Sequence, residues 1–368
     1  MTAPQRPIRY GVVGLGHIAQ VAVIPAFAHA RRNSRLVAIV SGDRTKRREL
    51  ARRYRIEHAF SYEDFDQCLR VVDAVYIALP NSMHAEYTIR AARAGVHVLC
   101  EKPMAVTVAE CRQMIGACRK AKVKLMIAYR LHFEGLNLAA IDIARSGQLG
   151  ALKFFNSSFA MTVRRGDIRT KRALGGGTLY DIGVYCINAA RNLFRAEPTQ
   201  VSAVSINSGL ARLSEIDETT AATLRFGNGR VATFITSFNA ADVASYRIVG
   251  TKGHLHADPA YEYAEGLECT VTIDGKTARK KFGKRDQFAP ELLYFSDCIL
   301  NDRAPEPSGE EGMQDVRIVE ALYTSARSGK PIPIRPFTKR QRPTGRQRIT
   351  RPGVRKPRLI KVQGASED

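Results

Sequence analysis

The chain has 368 residues, 45% of them hydrophobic, and a formal net charge of +22. That is enough apolar material for two domains with separate cores, and it excludes a wholly disordered chain or a single small module. No window approaches the ~18 apolar residues of a membrane span, and the start, MTAPQRPIRYGVVG, meets a strand with no leader-like apolar region before it, so a cytoplasmic protein without membrane contact is expected.

In chain order, residues 8–13 (IRYGVV), 36–41, 74–79, 96–100 and 123–128 are short apolar, β-branched runs. Between them, residues 18–30, 45–54, 84–94 and 107–121 carry a helical period, the last opened by a capping box at Thr107 and Glu110. Alternating strands and helices, with strands apolar on both faces, predict a parallel sheet covered on both sides. Past about residue 131 the pattern changes. A helix over 134–146 leads into LKFFNSSFAM, then GGGTLYDIGVYCIN, then TAATLRFGNGRVATFITSF, where Gly227, Asn228 and Gly229 mark a hairpin of an antiparallel sheet. A last helix near 310–328 opens at Ser308 and Glu311, at capping-box spacing, and stops at Gly329 and Pro331.

Residues 335–368 hold eleven Lys/Arg against two Asp/Glu. Rich in Pro and Arg and without helical period, they read as a basic, disordered tail. It is either simply solvated or touches acidic surfaces and phosphate without sequence preference; nucleic acid is not expected as the main partner. The seven cysteines are scattered, with no C-x-x-C pair and no Cys/His spacing suited to zinc, so they read as reduced and structural, with no metal site.

The first segment with chemistry is GVVGLGHIA, residues 11–19. Gly14, Gly16 and Ala19 form G-x-G-x-x-A between a strand and a helix, where glycines permit a tight turn and close approach of a pyrophosphate. His17 and Ile18 lie in the same turn, and the helix N-terminus receives the negative charge. The other reading is a turn that only packs a helix on a sheet. At the end of strand two an NAD site offers an acid to the ribose; here Ser41 and Gly42 leave room for a 2′-phosphate, and Arg44 and Lys46 can pair with it. NADP is therefore expected, with Asp43 as the residue that argues for NAD.

Together, GVVGLGHIA, ALPNSMH (78–84), CEKPMA (100–105), AYRLHFEGLN (128–137) and GGGTLYDIGVYCIN (175–188) resemble the Gfo/Idh/MocA oxidoreductases, most closely their glucose-fructose oxidoreductase-like branch, and the likeness continues over 309–332. The resemblance implies an α/β fold: an N-terminal Rossmann NADP-binding domain over 1–131, and over 132–334 a substrate-binding and oligomerisation α/β domain. The open, mainly antiparallel sheet of that second domain commonly forms the interface of a dimer or tetramer. It places the active site between the domains. By position, Glu101, Lys102 and Pro103 are similar to the E-K-P element, whose lysine sits by the nicotinamide and the substrate hydroxyl. Leu79, Pro80, Asn81 and His84 match the segment passing the nicotinamide ribose, Tyr129 and Arg130 match the Y-R after strand five, and Arg169 resembles the arginine that approaches cofactor or substrate. Most of the family carries D-x-G-x-H-x-x-D where this chain has Asp181, Tyr185 and Asn188; Tyr for His is similar to glucose-fructose oxidoreductase and to related dihydrodiol and aldose dehydrogenases.

On a helix, Asp181, Tyr185 and Asn188 fall at i, i+4 and i+7, on one stripe. Oxidising a sugar at C1 needs a hydride acceptor, the nicotinamide, and a base for the hydroxyl proton. A free tyrosine, with a pKa near ~10, is a poor base at neutral pH unless a neighbouring ammonium stabilises the phenolate. Lys102 is the candidate for that ammonium, with Asp181 holding the sugar, Lys102 or both. Catalytic roles are thus expected at Lys102, Tyr185 and Asp181, sugar contacts at these three with Arg130 and Asn188, and His132 is a further candidate for the cleft wall. The bland alternative makes Asp181 a helix cap and Tyr185 a half-buried aromatic.

The expected activity is NADP-dependent oxidation of a glucose- or xylose-like aldose at C1, with sugar-to-sugar transfer if the nucleotide never leaves. The alternatives are a dihydrodiol or anhydro-sugar dehydrogenase or reductase on the same frame, and a non-catalytic nucleotide-sensing or nucleic-acid-associated protein using the basic tail.

Overall fold

The computed structural model describes residues 6–339 and 341–366. The first five residues, part of the stretch read as lacking a leader, lie outside the described residues, as do Arg340, Glu367 and Asp368 of the tail.

Strand β1 (Ile8–Val13) is buried along nearly its whole length. Side chains on its two sides enter different cores: Tyr10 and Val12 join Tyr76 and Leu99 in one, and Val13 joins Val75, Ile77 and Val98 in the other. Such a strand needs cover on both faces, which a parallel sheet with crossover helices provides. With β2 (Ser34–Val40), β3 (His58–Phe60), β4 (Ala74–Ile77), β5 (His97–Glu101) and β6 (Leu125–Ala128), β1 forms a six-stranded parallel sheet in the order β3-β2-β1-β4-β5-β6. The order reverses between β1 and β4, so a crevice opens at the carboxyl ends of these strands.

The second sheet is built from β7 (Leu152–Ala160), β8 (Pro198–Ile206), β9 (Thr219–Phe226), β10 (Arg230–Ser237), β11 (Val243–Gly250), β12 (Gly253–Ala257), β13 (Leu267–Ile273), β14 (Lys276–Phe282) and β15 (Ile332–Pro333). Their order is β14-β13-β12-β11-β7-β10-β9-β8-β15, antiparallel except for the pair β7 and β10. At the expected hairpin, Asn228 (φ 61°) and Gly229 (φ 68°) supply the left-handed residues that join β9 to β10. The helices Gly135–Arg145, Val184–Phe194 and Gly309–Ser328 share one core with this sheet. Its other face exposes Phe154, Val204, Ile206, Val231, Ile235 and Val243. Among the described residues, no helix is long and apolar enough to cross a membrane, and all seven cysteines are free and buried.

Two expectations from the sequence need correction. Helix Ala289–Leu300 falls in the stretch assigned to the second domain, yet Leu292, Leu293 and Phe295 pack into a core of the first sheet, and Ser296 meets the Tyr10 hydroxyl at 2.8 Å. The tail does not hang free. Lys339, with a side chain 5% exposed, meets Glu311 at 2.7 Å and Glu306 at 3.4 Å, and Arg342 meets Glu197 at 2.8 Å. Farther on, Ile360 is buried, and one side chain holds both its backbone groups: Gln20 accepts from the Ile360 N–H at 2.8 Å and donates to its carbonyl at 3.0 Å. A Pro- and Arg-rich composition argues against a core of its own, whereas this segment is ordered by carboxylates and an amide that the body of the protein presents to it.

Candidate active site

A cleft of about 1300 Å³ lies between the carboxyl ends of the parallel strands and the second sheet. At one end is the glycine turn. Gly14 has φ +93°, and a Cβ there would meet the Ala78 carbonyl oxygen at 2.4 Å, so only glycine lets the loop after β1 lie against the end of β4. A Cβ on Gly16 would meet nothing within 4 Å, and Gly14, Gly16, His17 and Ile18 all line the cleft. Burial first, then the Arg169 and Lys356 cations, push the His17 imidazole down, so it is neutral at pH 7.

Ser41 and Lys46 line the next part of the wall. Asp43, the residue that argued for NAD, caps helix Arg44–Tyr54 by accepting from the Lys46 backbone N–H at 3.0 Å, a bond that lowers its carboxyl below the usual range. Gly42 and Arg44 are exposed and do not line the cleft. A glycine cradle, a small hydroxyl at the end of strand two, a lysine beside it and an acid engaged as a helix cap fit a dinucleotide carrying a 2′-phosphate.

The other end holds the ionisable groups. The Lys102 ammonium donates to the Asp181 carbonyl at 2.7 Å and to its carboxylate at 3.3 Å, and lies 4.7 Å from the centroid of the Tyr185 ring. Arg169 donates to the other Asp181 oxygen at 2.7 Å and to Asp167 at 3.1 Å. Burial alone would push the Asp181 carboxyl up; the Arg169 and Lys102 cations outweigh it and hold the group at about 2. Burial pulls the Lys102 ammonium down, and Tyr185, Asp181 and Glu101 more than offset it. At neutral pH Asp181 is therefore an anion of low basicity, and Lys102 is a cation with no lone pair to accept a proton. Arg130 faces the same ring, 5.1 Å from its centroid, anchored on the Tyr261 and Glu262 carbonyl oxygens and on Gln287.

Leu79, Pro80, Asn81, Glu101, Lys102, Arg130, Arg169, Asp181 and Tyr185 all line the cleft. His84 and Tyr129 stand behind it. The His84 ring nitrogens lie 2.9 Å from the Pro103 carbonyl and 3.0 Å from that of Leu79, tying together the loops that follow β4 and β5. Tyr129 donates to Asp315 at 2.5 Å.

Asn188 is a correction. It is 6% exposed and does not line the cleft; its amide donates to Asp315 at 2.9 Å and Glu311 at 3.2 Å, and its oxygen lies 2.7 Å from His132. His132 is likewise buried, against Glu306 at 3.1 Å. The helix opens with a π turn over Leu179–Gly183, which alters the register of an α-helical stripe, and Asn188 lies roughly 10 Å along the axis from Asp181. Cys186 is buried, and desolvation raises its thiol to about 12, which suits a structural role.

Sequence reasoning missed part of the wall: Tyr62 and Tyr263, Arg164 and Arg165, and, from the tail, Lys356 and Lys361. A basic residue in a Pro- and Arg-rich stretch carries no local sign of the cavity it will face.

This architecture is that of a two-domain, dinucleotide-dependent oxidoreductase, and comparison with known proteins gives the same class. Residues 8–129 match the oxidoreductase family with NAD-binding Rossmann fold, and residues 138–256 match the GFO/IDH/MocA C-terminal domain. The chain belongs to the Gfo/Idh/MocA oxidoreductase family. It is 32% identical to D-xylose 1-dehydrogenase (NADP(+)) 2 of Haloferax volcanii over 88% of this chain and 98% of that one. Among solved structures it is similar to aldose-aldose oxidoreductase from Caulobacter crescentus complexed with glycerol, with TM-score 0.86 and 39% identity over 89% of this chain and all of that one. It also resembles KijD10, a 3-ketoreductase from Actinomadura kijaniata in complex with NADP and TDP-benzene, with TM-score 0.80 and 27% identity over 87% of this chain and 98% of that one.

Proposed function

We propose that this NADP-dependent sugar oxidoreductase oxidises an aldose at C1, with Tyr185 as the acid/base, Lys102 as its electrostatic partner and Asp181 as the group that positions Lys102. The observation that carries the reading is the meeting of Lys102, Asp181 and Tyr185 on one wall of the cleft. The names of the Haloferax dehydrogenase and the Caulobacter oxidoreductase support an aldose substrate.

When bound, the nicotinamide would supply the acceptor for the hydride that leaves C1. Tyr185 takes the proton of the C1 hydroxyl as the carbonyl forms. The Lys102 ammonium and Arg130 guanidinium face its ring, 4.7 and 5.1 Å from the centroid, where positive charge favours negative charge on the phenol oxygen. Asp181 fixes the ammonium and, ionised throughout, is an acceptor for a sugar hydroxyl. Ser41 and Lys46 would hold the 2′-phosphate and the Gly14 turn the pyrophosphate. The charged wall of Lys102, Arg130, Asp181 and Glu262 favours a polyhydroxylated ring over the flatter, more apolar dihydrodiols.

The open face of the second sheet supports association with a second copy of this chain. Val204, Ala221 and Ile235 are in register across β8, β9 and β10, forming an exposed apolar row. A nucleotide held by this site between turnovers would supply to a second aldose the hydride taken from the first. The test is to purify the protein without added nucleotide, release any ligand by denaturation and identify it by mass before and after incubation with glucose or xylose. Bound NADP converted to NADPH by the sugar supports aldose oxidation with a retained cofactor; absence of any response to aldoses overturns the substrate assignment.

A further inference from the structure

Part of the basic charge of the C-terminal segment is engaged by the body of the protein, while Arg346, Arg348, Arg355 and Arg358 are exposed. Lys339 and Arg342 are taken up by Glu306, Glu311 and Glu197, Arg351 donates to the His29 carbonyl at 3.2 Å, and Lys356 and Lys361 line the cleft. Here the last stretch crosses from one wall of the cleft to the other. On the Rossmann side, Gln20 clamps the backbone of Ile360. On the opposite side, Arg164 donates to the Gly364 carbonyl at 2.7 Å through its side chain and to the Ala365 carbonyl at 2.9 Å through its backbone, and Ser366 bridges Val163. Val362 and Gln363 line the cleft between these anchors, and Leu359 lines it just before the first.

The position of Lys361 is specific. Its ammonium lies 3.3 Å from the Thr45 hydroxyl and 3.6 Å from the Asp43 carboxylate, beside Ser41 and Lys46 at the end of strand two. That is where the ribose of a dinucleotide ends and where a 2′-phosphate needs cations. Lys356 stands nearer the glycine turn, close enough to His17 to act on its charge.

We infer that residues 356–366 are part of the cofactor site: Lys361 joins Lys46 as a ligand for the 2′-phosphate of NADP, Lys356 faces the pyrophosphate, and the strap pinned at Ile360 and Ala365 slows release of the nucleotide. The inference rests on the NADP reading above and deepens it. It gives a physical basis for a cofactor retained between two sugars, because the nucleotide leaves only after an anchor opens.

The test measures affinity for NADP+ and NAD+ by calorimetry and release of NADPH by its fluorescence, in the full chain and in two variants. Lys361→Ala, at a side chain 58% exposed, does not threaten the fold. It weakens NADP+ binding about tenfold, as loss of a charge-assisted phosphate contact does, and leaves NAD+ within about twofold. Ile360→Ala loosens one anchor and speeds release of both nucleotides at least about threefold without changing the preference. Unchanged NADP+ affinity in Lys361→Ala, or unchanged release in a folded Ile360→Ala, overturns the assignment of the strap while the cofactor reading stands. If Ile360→Ala does not fold, the Lys361→Ala affinities decide alone. An unaltered chain that prefers NAD+ or binds neither nucleotide overturns the cofactor reading itself, and the role of Lys361 with it.

Discussion

The Lys102 ammonium lies over the face of the Tyr185 ring, 4.7 Å from its centroid. The contact uses the ring, so it survives removal of the hydroxyl. Tyr185→Phe keeps the packing against Phe159 and Tyr261 as well. It is expected to lower kcat by roughly 10²–10⁴-fold, the range for loss of a general acid/base, with NADP+ affinity within about twofold. Steady-state kinetics with an aldose, beside a nucleotide titration, checks this; full turnover in the variant removes Tyr185 from the chemistry.

Asp181 is the anion shared by Lys102 and Arg169. Asp181→Asn leaves both cations without that charge in a largely buried place. We expect a loss of about 1–3 kcal/mol at pH 7 together with reduced turnover. The carboxyl is held at about 2, below its ordinary 3.8, so its contribution is complete above the ordinary value and is lost as pH falls toward 2. Urea unfolding of both proteins between pH 7 and pH 3 therefore shows a gap that narrows at the acid end.

Glu291, on helix Ala289–Leu300, is fully buried, and neither carboxylate oxygen has a hydrogen-bond partner among the described residues. Burial first, and then the charge of Glu101, push its carboxyl well above the ordinary 4.5. The folded state thus keeps a proton that the unfolded chain releases above 4.5, and the group's effect on stability worsens as pH rises. Glu291→Gln keeps the shape without the ionisation. Its melting temperature should exceed that of the parent by more at pH 8 than at pH 5, which differential scanning calorimetry reads directly; an equal gap at both values denies the buried proton.

The row Val204, Ala221, Ile235 tests the assembly. Ile235 is 51% exposed, so Ile235→Lys costs the single chain less than about 0.5 kcal/mol, the usual bound for surface changes. Light scattering after size exclusion should give a smaller particle for the variant at equal concentration. An unchanged mass would place any interface elsewhere.

The sequence by itself determined what depends on near neighbours along the chain. Apolar runs with and without alternation set the parallel and the antiparallel sheet, and the capping box at Thr107 and Glu110 forms as its spacing requires. The glycine turn follows from steric limits at Gly14 that no other residue meets. Lys102, Asp181 and Tyr185 were legible because each sits within a compact motif. Only the tertiary structure decided the rest. Glu311 stands at capping-box spacing from Ser308, yet its carboxylate turns to Arg191 and Lys339, Asn188 joins the same buried network, and helix Ala289–Leu300 covers the sheet it was not assigned to. The tail is held because Glu197 and Glu311 meet its Arg342 and Lys339, and Gln20 and Arg164 meet its backbone at Ile360 and Gly364, across the fold. A charge or amide takes its role from whatever the chain brings within hydrogen-bond reach, and that distance in space is not written in the spacing of residues along the sequence.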